Sequence, residues 1–147
     1  MKRKILLLIL IMILSLIFTS CRGVPCGEPE WTRAENEVYH YWQAIINRQY
    51  ELAKYYCIVD GIWYNKTDEW EEYINVNSGG DASLMIYGPS FYEQTEVIEN
   101  NAVVYARITV DKIVFPSKNG IGIDGDVFEY EIELIRQDHP PGDWELK

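Results

Sequence analysis

The sequence predicts an α+β domain with N-terminal helices packed on one face of an antiparallel sheet. Two observations carry this. Apolar residues recur at helical spacing between residues 32 and 74, then switch to strict alternation in the second half of the chain. The helices come first and the strands follow as a run, an order that suits α+β rather than interleaved α/β architecture.

The first helix is expected to open at Thr32-Arg33-Ala34-Glu35, a hydroxyl followed three residues later by a carboxylate, as in a capping box. Behind it Ala34, Val38, Tyr41, Trp42, Ile45 and Ile46 share one helical face. Asn47-Arg48-Gln49 interrupts the pattern. Leu52, Ala53, Tyr56 and Cys57 mark a short second helix, and Asp68 with Glu71 suggests a further cap leading into a turn or two around Trp70, Tyr73 and Ile74. Asn77-Ser78-Gly79-Gly80-Asp81 then reads as a loop.

Strands are expected at Leu84 to Tyr87, Phe91 to Ile98, Ala102 to Phe115 and Asp126 to Gln137, with Asn100-Asn101 as a tight turn and Trp144 to Leu146 closing the domain. In the last long strand Phe128, Tyr130, Ile132 and Leu134 point one way, and Glu129, Glu131 and Glu133 the other. In its predecessor Val104, Ala106, Ile108 and Val110 oppose Arg107, Thr109 and Asp111. One buried and one wet face is the pattern of antiparallel pairing. The glutamate row therefore reads as a solvated outer face rather than a metal site, with Arg107 facing one of its members across the ladder.

The N-terminus carries a separate message. Met1-Lys2-Arg3-Lys4 is followed by fourteen uncharged residues, Ile5 to Phe18, the layout of a signal peptide and short for a spanning helix of about 20 residues. The segment Ile17-Phe18-Thr19-Ser20-Cys21 resembles the lipobox of bacterial lipoproteins, with Phe18 where Leu is commonest. The resemblance implies cleavage after Ser20 and lipidation of Cys21, with the protein held at the extracytoplasmic side of the cell membrane by its acyl chains alone. Residues 1–20 are thus expected as signal peptide, 21–31 as a Pro/Gly-containing tether and 32–147 as one domain.

The leader holds three of the 13 basic residues and none of the 23 acidic ones, which leaves a charge of −13 beyond it. Such a surface repels phosphate backbones and anionic leaflets, which argues against nucleic-acid partners and a basic membrane patch. With Cys21 assigned to lipid, Cys26 and Cys57 remain; export permits a disulfide between them, while the apolar helical setting of Cys57 equally suits a buried free thiol.

Chemistry is sparse. His40 and His139 have no ligand-spaced neighbours, so no zinc site is expected, and His40 reads as a helix-face residue. Asp124-Gly125-Asp126 reads as a turn rather than a calcium loop, since the alternating acids and terminal glutamate are missing. No phosphate loop or nucleophile motif suggests a cofactor or a catalytic set. Trp42, Tyr56, Trp63, Tyr87 and Tyr130 could line an apolar pocket opening toward Trp42 and Tyr130, or could be plain packing.

The opening Tyr41-Trp42-Gln43-Ala44-Ile45-Ile46-Asn47-Arg48-Gln49-Tyr50-Glu51-Leu52-Ala53 and the closing Gly142-Asp143-Trp144-Glu145-Leu146 resemble the nuclear transport factor 2-like (ketosteroid isomerase-type, SnoaL-like) domains, whose cystatin-like cone sets helices on a curved sheet. The resemblance implies that curvature and an interior pocket, but it maps no catalytic residue onto this chain. The expected function is a non-catalytic module binding a small molecule or a protein partner; the alternative is a small isomerase or dehydratase using the cone.

Overall fold

The helical periodicity resolves into three helices, α1 (Glu30–Ile46), α2 (Tyr50–Tyr55) and α3 (Ile62–Asn77). They are seen in a computed structural model that describes residues 28–79, 82–114, 122–137 and 144–147. Cys21, Cys26 and His139 lie outside those residues, as does the leader. Among the described residues no helix is long and apolar enough to cross a membrane.

α1 buries Ala34, Val38, Tyr41, Trp42, Ala44 and Ile45, the expected face. It begins earlier than the capping-box reading placed it. Pro29 occupies the N-cap with extended ψ of 142°, and its carbonyl accepts the first helical bond from Arg33 N at 3.1 Å. Thr32 and Glu35 therefore lie inside the helix, and the Glu35 carboxylate instead accepts a 2.6 Å bond from the buried Thr95 hydroxyl. At the other end Arg48 turns left-handed (φ 57°). Its N–H meets Ile45 O at 2.9 Å while Gln49 N meets Ala44 O at 2.8 Å, the two-bond Schellman closure that ends the helix where the sequence pattern breaks.

The second correction concerns α3. It runs for 16 residues from an N-cap at Gly61, so Asp68 and Glu71 sit mid-helix, and Asp68 pairs with Lys54 at 2.7 Å. Trp63, Thr67, Trp70 and Ile74, spaced four, three and four, form its buried stripe.

The strands are β1 (Ala82–Phe91), β2 (Glu96–Ile98), β3 (Asn101–Val114), β4 (Gly122–Arg136) and β5 (Trp144–Leu146). They form an antiparallel sheet in the order β1-β3-β4-β5, with β2 also paired to β3. The sheet curls under the helices in an α+β cone. The segment expected as one strand from Phe91 to Ile98 is divided: Phe91 ends β1, and only Glu96–Ile98 pairs again. Asp124-Gly125-Asp126 is strand rather than turn, because β3 extends to Val114 and offers it a continuous ladder, with Gly125 opposite Asp111.

The alternation holds in three dimensions. Ala102, Val104, Ala106, Ile108 and Val110 are buried on the concave face with Ile132 and Leu134, while Glu129, Glu131 and Glu133 are exposed outside. Arg107 lies opposite Glu129 in register and bonds it at 2.6 and 2.9 Å. Being exposed, that pair contributes no more than about 1 kcal/mol. β5 buries Trp144 and Leu146, and Leu146 exchanges bonds with the segment after α2, receiving from Ile58 N at 2.9 Å and donating to Tyr56 O at 3.0 Å.

Ile132→Ala should destabilise the domain by about 2–5 kcal/mol in urea unfolding, because it opens a cavity in the fully buried sheet face. Val127→Ala, on the outer face and 59% exposed, should cost less than about 0.5 kcal/mol.

Candidate functional site

Trp42, fully buried on α1, sits at the centre of an aromatic cluster. Its ring stacks on Tyr130 of β4 at 5.6 Å and meets Trp63 and Trp70 of α3 edge-on at 6.1 and 5.2 Å. Trp63 also meets Tyr130 edge-on at 5.2 Å. The space between Trp42 and Tyr130 is thus filled by ring contact.

The opening lies on the other side of Tyr130. α3 contributes Lys66, Glu69, Trp70 and Tyr73, and β4 contributes Phe128 and Tyr130, to a groove of about 360 Å³. A second cavity of about 290 Å³ continues it, sharing Lys66 and Tyr130 and adding Trp63, Glu131, Glu133 and Lys147. The cause is local. The inward residues of β4 are aromatic at Phe128 and Tyr130 and aliphatic at Ile132 and Leu134, so the bulky rings prop α3 away from that end of the strand. On α3, Lys66, Trp70 and Tyr73 fall at i, i+4 and i+7 and so face the same gap.

Trp70, Tyr73 and Phe128 meet one another edge-on, with centroids 5.2 to 5.8 Å apart. Polar tips are few. Tyr73 donates to Asp126 Oδ2 at 3.2 Å. Burial, with smaller pushes from Glu69 and Tyr73, drives the Tyr130 hydroxyl up to about 12 against an opposing hydrogen bond from Trp70. It therefore stays a neutral donor near pH 7. The Lys66 ammonium lies 5.7 Å from the Tyr130 ring centroid and 3.4 Å from Glu69 Oε2.

Of the residues expected to line a pocket, Trp42, Trp63 and Tyr130 come together. Tyr56 stacks on His40 at 6.0 Å, and Tyr87 stands on the outer sheet face beside Met85. Sequence reasoning missed Lys66, Glu69, Trp70, Tyr73 and Phe128 as wall residues. Their signal was present in the helical spacing of Trp63, Trp70 and Tyr73 and in the aromatic pair Phe128 and Tyr130, but reading α3 as a short turn hid it.

Titratable groups elsewhere are few. Burial raises the Glu37 carboxyl, with His40 and Arg33 opposing; this acid lies near Tyr56 and is not part of the groove wall. His40 is exposed on the helix face. No group of three or more His, Cys, Asp or Glu could hold a metal ion among the described residues. Cys57 is 4% exposed with Sγ 3.5 Å from Ala53 O, and burial, with Glu145 adding, pushes its thiol up to about 12. Its expected disulfide partner, Cys26, lies outside the described residues. Thr67, buried in mid-α3, donates to Trp63 O at 2.9 Å, so its single proton is used and Tyr41 is the donor across their 3.2 Å contact.

Thr67→Val should cost about 1–3 kcal/mol in urea unfolding, since it strands the buried Tyr41 hydroxyl. Under reducing conditions at pH 8, Cys57 should resist iodoacetamide in the native protein and react in denaturant. A thiol raised in the native state holds its proton more tightly there. Stability should therefore be full below the unfolded thiol value of about 8.5 and decline as pH climbs above it, which pH-dependent denaturation checks. No protein-family model, curated protein or solved structure matches this chain.

Proposed function

We propose that the protein is a lipid-anchored extracytoplasmic lipoprotein whose folded part is a nuclear transport factor 2-like domain acting as a non-catalytic binding module for a small molecule. The observation that carries the binding reading is the groove between α3 and β4, walled by four aromatic side chains and still open beside them. Apolar walls with a few placed polar tips are the ordinary make-up of a small-molecule site. A binding role also agrees with the groove's ionisable equipment: Tyr130 is held neutral, and the acid raised by burial, Glu37, is not among the residues of the groove wall. The anchor rests on the leader and on Ser20-Cys21. The acidic charge of −13 beyond the leader agrees with attachment through lipid alone.

Cys21→Ala should abolish a mass increase of diacylglyceryl size and release the protein from the membrane fraction; unchanged mass and retention would defeat the anchor. For the groove, the neutral apolar dye N-phenyl-1-naphthylamine should brighten with the full chain, in detergent below its micelle concentration. Phe128→Ala should weaken that binding at least about fivefold, by removing ring area worth roughly 1–2 kcal/mol. Circular dichroism controls for folding. No binding by a folded wild-type protein would sink the groove reading.

A further inference from the structure

Resting on that reading, we infer that the groove selects a small soluble organic cation, an ammonium group carried on a flat or branched apolar body. Three features converge. The first is the aromatic wall. Ring faces carry negative quadrupole density and attract cations lying within about 6 Å of the centroid. The second is a cation already in that place: Lys66, which lines both cavities, holds its Nζ 5.7 Å from the Tyr130 centroid, tethered by Glu69 at 3.4 Å. A ligand ammonium would take over this position and this carboxylate while the flexible lysine swings to solvent.

The third feature is the sign of the surrounding charge. Glu69 lines the first cavity, Asp126 is held at its edge by Tyr73, and Glu131 and Glu133 line the second. Four carboxylates border the two cavities against two ammonium groups, Lys66 and Lys147, and Lys147 is engaged by Glu133 at 3.6 Å and Asn101 Oδ1 at 2.9 Å. Glu131 and Glu133 belong to the outer row of β4, whose other member, Glu129, is engaged by Arg107. The net negative field raises the local concentration of cations and lowers that of anions. A groove of about 360 Å³ matches a small molecule rather than a folded partner.

The test compares three probes sharing one ring, benzyltrimethylammonium, its uncharged isostere neopentylbenzene and the anion benzylsulfonate, by tryptophan emission of the full chain at low salt. The ammonium should bind tightest. Glu69→Gln should weaken it about threefold and Lys66→Gln, which removes the internal competitor, should tighten it by a similar factor. Neither substitution should change binding of the neutral probe or the circular dichroism spectrum. Equal binding of ammonium and neutral probes, with both variants silent, overturns the charge selection while leaving the groove reading intact. Preference for the sulfonate with the two variants reversed overturns it as well. Failure of all three probes together with N-phenyl-1-naphthylamine removes the groove reading itself. Pelleting with phosphocholine vesicles more tightly than the free ammonium binds would assign the site to a lipid headgroup and overturn the soluble ligand.

Discussion

The placement of one indole governs this fold. Trp42 projects from α1 into a region where α1, α3 and β4 converge, and its ring touches side chains from both other elements. A fully buried tryptophan contributes area that no smaller residue could replace, and edge-to-face partners add roughly 0.5–1.5 kcal/mol per pair. Because α3 meets β4 through the rings of Trp70, Tyr73 and Phe128, its distance from that strand is set by ring dimensions. Core and groove are therefore two consequences of the same packing. The inner halves of the rings exclude water, and their outer edges form a wall.

The order of residues along β4 decides where packing stops and the groove begins. Ile132 and Leu134 let the layers close, and Val104 and Leu134 are sealed completely. Phe128 and Tyr130, four and two positions earlier than Ile132, are not fully covered by a helix held at that spacing, so they stay only partly buried. The polar members of the wall come from the helix, where Lys66 and Tyr73 lie four before and three after Trp70 and Glu69 directly precedes it.

Much of this architecture was legible in the sequence. The period-2 alternation of Glu129, Glu131 and Glu133 against Tyr130, Ile132 and Leu134 gave the buried face directly, and the pairing of Arg107 with a glutamate followed from it. What was hidden is also explicable. A capping-box pattern is local, whereas Pro29 and Gly61 end the chain's freedom further upstream, so both helix starts were placed too late. Glycine and aspartate in Asp124-Gly125-Asp126 signal a turn by propensity, but the neighbouring strand supplies the hydrogen bonds that override it. The groove depended on contacts between residues 66–73 and 126–130, and a single sequence does not reveal which aromatics are covered.

β1 forms one edge of the sheet, and among the described residues no other strand pairs with its outer side beyond the local bridge of Gly79 to Ala82. Its ten residues, Ala82 to Phe91, carry no charge, although such edges are commonly guarded by lysine or glutamate. Here the guard is geometric. The register slips between Tyr87 and Ser90, Gly88 takes a φ of 117°, and Pro89 offers no N–H to a would-be neighbour. An incoming strand can follow only the first six residues before the template breaks. Since this barrier is one of shape rather than of charge, salt does not weaken it, and pairing is limited to that short stretch at any ionic strength.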